Sequence, residues 1–275
     1  MIPTPKSLKM KSLLIFLVFS LLFVPSLCTQ EPSNCHQLTR NMILEYPDGG
    51  RGGADPEEVI LQCTSWRFAV EANNMNSWKT IPQECADYVK NYMLGKGYLL
   101  DLERVSNEAS VFAKSVHFEG DSKDAWVFDV DETLLSNLPY YADHAFGLEV
   151  FDGVEFDKWV SKAMAPAIES SLRLYEEVLS LGFKVFLLTG RSEKLRDVTA
   201  QNLINVGFKN WDKLILRNTE DHGKLATIFK SEKRSEMMKE GFRILGNSGD
   251  QWSDLLGFPM STRSFKLPNP MYYIP

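Results

Sequence analysis

The chain has 275 residues, of which 44% are hydrophobic and 24% charged, with 13 prolines and 17 glycines. These fractions are typical of a folded globular protein and exclude collagen-like, low-complexity and broadly disordered chains. The formal net charge of −6 argues against a protein whose main task is coating nucleic acid or an anionic membrane. An anionic small-molecule substrate is compatible with this charge, because it requires only a local cluster of positive groups.

Residues 1–28 have the pattern of a secretory signal peptide. Three lysines precede an apolar run of about 12 residues, which is too short to cross a hydrocarbon core that requires about 20. Pro25 ends the run, and Ser26 and Cys28 are small residues at the −3 and −1 positions of a cleavage site before Thr29. We therefore expect a soluble mature protein without membrane contact, either extracellular, in the cell wall or in the vacuole. The alternative is a signal anchor.

Secretion changes the interpretation of the cysteines, of which Cys35, Cys63 and Cys85 remain after cleavage. In an oxidising compartment two of the three are expected to form a disulfide. We predict a bond between Cys63 and Cys85, because each is expected near a helix end of the same N-terminal region. Cys35 then lies alone in a polar leader. No Asn-x-Ser/Thr sequence occurs, so we expect no N-glycosylation.

Two regions with different patterns follow the signal. Residues 29–58 are polar and turn-rich, with Asp55 and Pro56 among their structure breakers. Residues 59–120 have helical spacing and predict a helical module packed on the rest of the protein. One helix opens at Pro82 and is ended by Gly95 and Gly97. A later helix has one apolar face, formed by Leu102, Val105, Ala109, Phe112 and Val116.

Residues 121–275 alternate apolar runs with amphipathic segments. We predict strands over residues 125–129, 183–188, 213–216 and 242–245, and helices over residues 168–179, 195–206 and 232–240. This alternation predicts an α/β domain, a Rossmann-like parallel sheet with crossover helices on both faces. Ligands of such sheets bind beside the carboxyl ends of the strands, so chemistry is expected directly after each strand.

Polar residues stand at these strand ends: Asp129 and Asp131 after the first strand, Thr189 and Arg191 after the second, Lys230 near the start of the helix before the fourth, and Asp250 and Asp254 after the fourth. Carboxylates two positions apart in a strand point the same way and repel each other unless a cation neutralises them. Oxygen ligands suit a hard octahedral ion such as Mg²⁺. With Thr189 and Lys230 beside a phosphate, this assembly is the one that phosphoryl transfer requires.

Two of these assignments have alternatives. Lys233 lies close enough in sequence to replace Lys230, and Asp254 could instead cap a helix. Each residue by itself has an ordinary structural explanation, but their occurrence in order at consecutive strand ends favours one phosphate site.

Four segments resemble the motifs of the haloacid-dehalogenase (HAD) superfamily. Residues 127–136, VFDVDETLLS, resemble the first motif, and residues 187–191, LLTGR, the second. Lys230 fits the third, and residues 249–254, GDQWSD, fit the fourth. The flanking stretches resemble the plant acid phosphatases and vegetative storage proteins, sometimes classed with bacterial class B phosphatases: residues 65–73 (SWRFAVEAN), 136–141 (SNLPYY) and 247–256 (NSGDQWSDLL).

The resemblance implies a role for each site residue. Asp129 is the nucleophile that forms an aspartyl-phosphate, and Asp131 is the general acid and base. Mg²⁺ is held by the Asp129 carboxylate, the Asp131 backbone carbonyl and Asp250, and Asp254 supports the ligands from outside.

Thr189 and Lys230 bind the transferring phosphate, by the same resemblance. Arg191 either joins them or forms an ion pair that fixes its loop. Tyr140, Tyr141 and His144 follow the first motif and either line a pocket mouth or simply pack. We also expect Asp131 to titrate somewhat above about 3.9, since Asp129 is its neighbour, which places the best rate at roughly pH 5 to 6.

These observations predict a secreted or vacuolar Mg²⁺-dependent acid phosphatase acting on small phosphate monoesters. The alternative is a vegetative (nitrogen) storage protein with weak or incidental phosphatase activity, and a phosphotransferase would use the same residues. Some storage proteins of the family lack the nucleophilic aspartate, whereas Asp129 is present here. The sequence does not indicate the physiological substrate or the oligomeric state, although members of the family are often dimers.

Overall fold

The computed structural model describes residues 55–75 and 77–275. The predicted signal peptide, most of the polar leader and Cys35 lie outside the described residues. Helix α1 (Pro56–Glu71) begins before the predicted end of the leader. Asp55 caps it by accepting a hydrogen bond from the Glu57 backbone N–H at 3.1 Å, and Pro56 occupies the first helical position. These two residues, which we expected to break structure, therefore start a helix.

Two further helices complete the N-terminal region, α2 (Ala86–Leu94) and α3 (Lys96–Ser115). Gly95 separates them, but Gly97 lies in the first turn of α3, so the prediction that both glycines end a helix is wrong for Gly97. The predicted disulfide between Cys63 and Cys85 is confirmed. It joins the middle of α1, rather than its end, to a short 3₁₀ turn before α2.

A five-stranded parallel sheet forms the centre of the fold, with the strand order β3-β2-β1-β4-β5. Its strands are β1 (Asp124–Phe128), β2 (Lys184–Ser192), β3 (Lys213–Arg217), β4 (Arg243–Gly249) and β5 (Arg263–Lys266). The first four overlap the predicted strands, but β2 and β4 each continue four residues further than predicted, so Thr189 and Arg191 lie within β2 rather than after it. The edge strand β5 was not predicted, because only one of its four residues, Phe265, is apolar, which is too little to form a pattern.

Helices connect the strands: α4 (Leu138–Asp143), α5 (Gly153–Val160) and α6 (Glu169–Leu181) lie between β1 and β2, α7 (Arg196–Asn205) and α8 (Ala226–Lys239) flank β3, and the short α9 (Trp252–Leu255) follows β4. The predicted end of α6 is confirmed, because Gly182 adopts the left-handed conformation with φ of 96°. Helix α8 begins earlier than predicted, so Lys230 lies in its second turn rather than at its start.

Side chains of β1 alternate between two apolar layers. Trp126 and Phe128 pack on one face of the sheet, in a cluster that also contains residues of α3 and α6. Ala125 and Val127 pack on the other face, where Phe229 of α8 covers them. Both faces are therefore covered by helices, and the predicted fold class is confirmed. Among the described residues no helix is both long and apolar enough to span a membrane.

Candidate active site

The register of the central strands brings the predicted residues to one edge of the sheet. Phe128, the last residue of β1, is paired with Leu187 of β2 and with Ser248 of β4. Asp129 lies one residue beyond Phe128, and Thr189 and Asp250 lie two residues beyond Leu187 and Ser248, so the three residues are at nearly the same level of the sheet. The three residues lie near one another because the strands are parallel and their carboxyl ends are therefore at the same edge of the sheet.

Lys230 connects Asp129 to Asp254. Its ammonium lies 2.5 Å from Asp129 Oδ1 and also contacts Asp254 Oδ1. All three side chains are buried. Burial by itself would lower the pKa of Lys230, but the charges and hydrogen bonds of the two carboxylates raise it above its usual value. The lysine therefore remains charged inside the site. Lys233, the alternative, pairs with Glu236 at the surface instead.

Arg234 shares a face of α8 with Lys230, since the two residues are four positions apart. Its buried guanidinium donates to the backbone carbonyls of Asp254 at 2.6 Å and Pro259 at 2.9 Å. The same helix therefore supplies the charged lysine and holds the loop after β4. The close approach of this loop also requires Gly249, because a Cβ there would overlap with the side chain of Asp254.

Asp129, Asp250 and Asp254 form a buried carboxylate cluster, with one oxygen of each within 4.8 Å of the others. Burial is the main reason that the pKa of Asp129 lies well above its usual value, and Asp254 and Asp250 add to the effect. Burial, with Asp254 and Glu132 nearby, raises the pKa of Asp250 to about 7. Lys230 is the one cation in contact with this cluster among the described residues. The donor set is thus oxygen-rich and short of positive charge, which fits a hard divalent cation.

Asp254 has two roles in this geometry. One oxygen accepts a hydrogen bond from the Gln251 backbone N–H at 2.8 Å, as part of a capping box at the start of α9. The other oxygen contacts Lys230. The helix cap that we considered as an alternative is therefore present together with the ionic contact.

Asp131 lies apart from this cluster and faces Arg191. The guanidinium donates from Nη2 at 2.7 Å and from Nε at 3.1 Å, and Asn137 Nδ2 donates to the same carboxylate at 2.8 Å. Burial would raise the pKa of Asp131, but the charge and hydrogen bonds of Arg191, with Asn137, hold it below its usual range. Our expectation that Asp131 titrates above its usual value is therefore wrong, because it considered Asp129 and Lys230 but not Arg191.

Thr189 and Arg191 contact each other, and both also contact Asp131. The Thr189 hydroxyl accepts from the Arg191 backbone N–H at 3.1 Å and lies 3.3 Å from Asp131 Oδ2. The Arg191 side chain also contacts the Thr199 hydroxyl at 3.1 Å. Of the two roles considered for Arg191, the ion pair is the one that the structure contains.

Sequence reasoning missed Glu132, Asn137, Asn269 and Tyr272. Glu132 is fully buried and accepts from the Asn137 backbone N–H at 2.5 Å and from the Tyr272 hydroxyl at 2.7 Å. Burial and the neighbouring Asp131 raise the pKa of Glu132 to about 7. Two sequence signals were available, the position of Glu132 inside the first motif and that of Asn137 in the family-like stretch 136–141, whereas Asn269 and Tyr272 lie outside every such segment.

Tyr140, Tyr141 and His144 line a small cavity that also includes Tyr272. The rings of Tyr141 and Tyr272 are stacked at 5.0 Å between centroids. Because Tyr272 contacts Glu132, the cavity adjoins the residues around Asp131. The suggestion that these three side chains line a pocket is therefore consistent with the structure.

Comparison with known proteins adds the family. The model of the HAD superfamily, subfamily IIIB (acid phosphatase), matches residues 54–275. The chain belongs to this family. Acid phosphatase 1 of Solanum lycopersicum is 62% identical over 94% of this chain and 98% of its own length. Vegetative storage protein 1 of Arabidopsis thaliana is 39% identical over 78% of this chain and 79% of its own length.

Among solved structures, a class C acid phosphatase from Bacillus anthracis with tungstate bound has a TM-score of 0.58 and 22% identity. The match covers 68% of this chain and 85% of the bacterial chain, and it supports the fold. The family match and the high identity to a plant acid phosphatase make this chain an enzyme of the acid phosphatase class.

Proposed function

We propose that the protein hydrolyses phosphate monoesters through an aspartyl-phosphate intermediate and requires Mg²⁺. One observation carries the proposal: Asp129, at the end of the central strand, is buried between Lys230 and the carboxylates of Asp250 and Asp254. A strand-end carboxylate beside a fixed ammonium is suited to attack a phosphorus atom whose oxygens that ammonium binds. The roles of the individual residues below are parts of this proposal.

In the first step, an Asp129 oxygen forms a bond to phosphorus while the bond between phosphorus and the ester oxygen breaks. Asp131, in its protonated form, gives its proton to the leaving alkoxide, which departs as an alcohol. Because Arg191 lowers the pKa of Asp131, this form becomes more abundant as the pH falls. In the second step, Asp131 accepts a proton from a water molecule whose oxygen bonds to the same phosphorus while the bond between phosphorus and Asp129 breaks. The products are inorganic phosphate and free Asp129.

Lys230 and Thr189 bind the non-bridging oxygens of the transferring group in this scheme. The fixed contacts of Lys230 with Asp129 and Asp254 hold its ammonium in place before the substrate arrives, so little reorganisation is needed. Arg191 holds the Asp131 carboxylate beside the phosphorus and is not assigned a phosphate contact.

Asp129, Asp250 and the Asp131 backbone carbonyl are the proposed ligands of Mg²⁺, with Asp254 supporting them through Lys230 and the α9 cap. Bound Mg²⁺ would neutralise the carboxylates and offset the charge of the phosphate oxygens. The absence of His and Cys from the cluster Asp129, Asp250 and Asp254 argues for magnesium over zinc.

We also propose that residues 1–28 are removed as a signal peptide and that the mature enzyme works in an acidic secretory compartment, extracellular or vacuolar. The Cys63–Cys85 disulfide supports an oxidising route. The division into a leader (29–58), a helical module (59–120) and a phosphatase domain (121–275) also remains a proposal. Residues of α3 share the main apolar cluster of the sheet, so we expect the last two parts to unfold together.

Nitrogen storage is the second candidate, favoured by the identity to vegetative storage protein 1. The present chain retains Asp129 with its lysine and carboxylate partners, and these support catalysis. A storage role would require none of them.

Hydrolysis of p-nitrophenyl phosphate, measured with and without EDTA, tests the proposal. We expect activity that EDTA removes and Mg²⁺ restores. Asp250→Ala should retain the fold, lose activity at low Mg²⁺ and partly regain it at high Mg²⁺, because the variant lacks one anionic ligand. Full activity of wild type in EDTA would contradict the metal assignment, and activity near background at every pH would favour storage.

A further inference from the structure

The last nine residues, 267–275, return to the active site without forming a helix or strand. The Leu267 backbone N–H donates to the Gly249 carbonyl at 2.9 Å, and the Pro275 carbonyl accepts from Ala226 at 2.9 Å. Three prolines fix backbone φ angles in this segment, which lowers the entropy lost on ordering it. We call residues 267–275 the C-terminal segment.

The hydroxyl of Tyr272, in the C-terminal segment, donates a hydrogen bond to the buried carboxylate of Glu132 at 2.7 Å. The two residues are 140 positions apart in sequence. Glu132 has a φ of 52°, a left-handed conformation that an L-residue adopts only when its contacts outweigh the strain. These contacts are the Tyr272 hydroxyl and two hydrogen bonds from Asn137.

Asn137 links Glu132 to Asp131 by hydrogen bonds. Its Nδ2 donates to Glu132 Oε2 at 3.1 Å and to Asp131 Oδ1 at 2.8 Å, so one amide group bridges the two carboxylates. Its Oδ1 accepts from Trp159 Nε1 at 2.9 Å, which fixes the orientation of the amide. Tyr272, Glu132, Asn137 and Asp131 therefore form a continuous hydrogen-bonded chain.

Asn269 of the same segment reaches the opposite side of the site. Its Nδ2 donates to Asp250 Oδ2 at 2.7 Å, and its own Oδ1 accepts from the Met271 backbone N–H at 3.0 Å. Its backbone N–H donates to Glu71 of α1 at 2.8 Å. The buried amide is thus held from two directions while it orients Asp250.

We infer that the C-terminal segment is a positioning element of the active site, in which Tyr272 orients the general acid and base Asp131 through Glu132 and Asn137, and Asn269 orients the metal ligand Asp250. Neither residue touches the reacting atoms. A tyrosine that only packed would not need its hydroxyl on a buried glutamate, and packing alone would not align Asn269 with one carboxylate oxygen. This inference rests on the proposed function.

The test for Tyr272 compares two substrates with different leaving groups. An alkyl phosphate such as glycerol 2-phosphate needs a proton on its leaving oxygen, whereas p-nitrophenolate scarcely does. Tyr272→Phe removes one hydroxyl, so we expect kcat/KM for glycerol 2-phosphate to fall about 10- to 100-fold and that for p-nitrophenyl phosphate to fall less than about 3-fold. Tyr273→Phe makes the same chemical change one position away, where no hydrogen bond of the hydroxyl is present among the described residues, and should match wild type.

The test for Asn269 measures Mg²⁺ binding by isothermal titration calorimetry in the absence of substrate, and also the Mg²⁺ dependence of activity. The dissociation constant for Mg²⁺ should rise about 10-fold in Asn269→Ala. Asn269→Ala should raise the Mg²⁺ concentration for half-maximal activity about 10-fold or more, as is usual when a group that orients a metal ligand is lost. If Tyr272→Phe does not fold, Glu132→Gln replaces it, with the same expected dependence on the leaving group.

An equal fall for both substrates, or no fall, would show that Tyr272 has only a packing role and would overturn its part of the inference. An unchanged Mg²⁺ requirement in Asn269→Ala would overturn the other part. Wild type and Tyr273→Phe serve to separate the two proposals: if both hydrolyse both substrates, the proposed function holds and only the inference is judged. An inert wild type would overturn both.

Discussion

At the scale of single residues, the protonation of each site carboxylate depends on how many positively charged side chains contact it. Asp131 forms an ion pair with the Arg191 guanidinium. The cluster of Asp129, Asp250 and Asp254, in contrast, has only the ammonium of Lys230 in contact with it among the described residues. The same residue type therefore has a low pKa in one place and a raised pKa a few ångströms away. The ionised form that the low pKa of Asp131 favours suits its role as the base of the second step. Asp129 must lose its proton before it attacks phosphorus, and a cation bound to the cluster would favour that ionised form.

Asp129 should be indispensable as the nucleophile. Asp129→Asn preserves the shape of the side chain but not its charge, so we expect p-nitrophenyl phosphate turnover below about 1% of wild type, with a native circular dichroism spectrum that shows the fold is retained. Asp143→Asn, an exposed change of the same kind, is the control and should keep full activity. Activity well above that level, after deamidation has been excluded by mass spectrometry, would refute the covalent role.

Arg191 should set the pH dependence through Asp131. Arg191→Gln removes the charge that lowers the pKa of Asp131, so its carboxyl stays protonated to a higher pH. We therefore expect the alkaline limb of the kcat/KM profile for an alkyl phosphate to move up by about one pH unit. Arg191→Lys retains the charge and should shift the limb less. If the pH profiles of wild type, Arg191→Gln and Arg191→Lys coincide, Arg191 does not control the protonation of Asp131.

At the scale of elements, helix α1 contacts the segments that follow β4 and β5 near the active-site edge of the sheet. Glu71, the last residue of α1, accepts from Lys266 Nζ at 2.7 Å and from the Asn269 backbone N–H at 2.8 Å. Its backbone carbonyl accepts from Trp252 Nε1 of α9 at 2.9 Å. The N-terminal helices therefore hold the segments that follow β4 and β5.

The disulfide should stabilise this arrangement without taking part in the chemistry. It closes a loop with a sequence separation of 22 between α1 and the turn before α2. Replacing both Cys63 and Cys85 with serine should lower the free energy of unfolding by about 3 kcal/mol, measured by urea denaturation. Activity at temperatures well below the transition should remain, because neither sulfur contacts a site residue. Cys35→Ser, outside the described residues, should leave the denaturation midpoint unchanged, and an equal loss there would contradict the predicted pairing.

At the scale of the whole molecule, the buried carboxylates link stability to pH. Asp250 and Glu132 both have a pKa of about 7 in the folded protein, well above the unfolded values of about 4. The folded state then binds more protons than the unfolded state between about pH 4 and 7. The free energy of unfolding contributed by these groups therefore decreases as the pH rises through this range.

The metal-free protein should melt at a higher temperature at pH 5 than at pH 7.5. Thermal unfolding in EDTA measures this difference, and saturating Mg²⁺ should reduce it, because a bound cation stabilises the ionised carboxylates. Asp250→Asn removes one of the responsible groups and should have a smaller pH dependence in EDTA. A melting temperature that rises between pH 5 and 7.5 in EDTA would show that other groups dominate.

The sequence by itself determined the approximate positions of four strands along the chain and the polar residues near their carboxyl ends. Apolar runs and the residues that follow them are local features, and a parallel sheet brings all carboxyl ends of its strands to one edge. Asp129, Asp131 and Thr189 could therefore be placed at one site without a structure, whereas Lys230, which lies in a helix, was added by its resemblance to the third motif. Asp250 was found in the same way as Asp129.

Only the tertiary structure decided the partners of these residues. Asp131 meets Arg191 across 60 positions and Glu132 meets Tyr272 across 140, and no periodicity connects positions so far apart. The direction of the Asp131 pKa shift depends on the first contact, and the role of the C-terminal segment on the second. The physical reason is that a strand end fixes where a side chain starts, while its charge state depends on which neighbours the completed fold places around it.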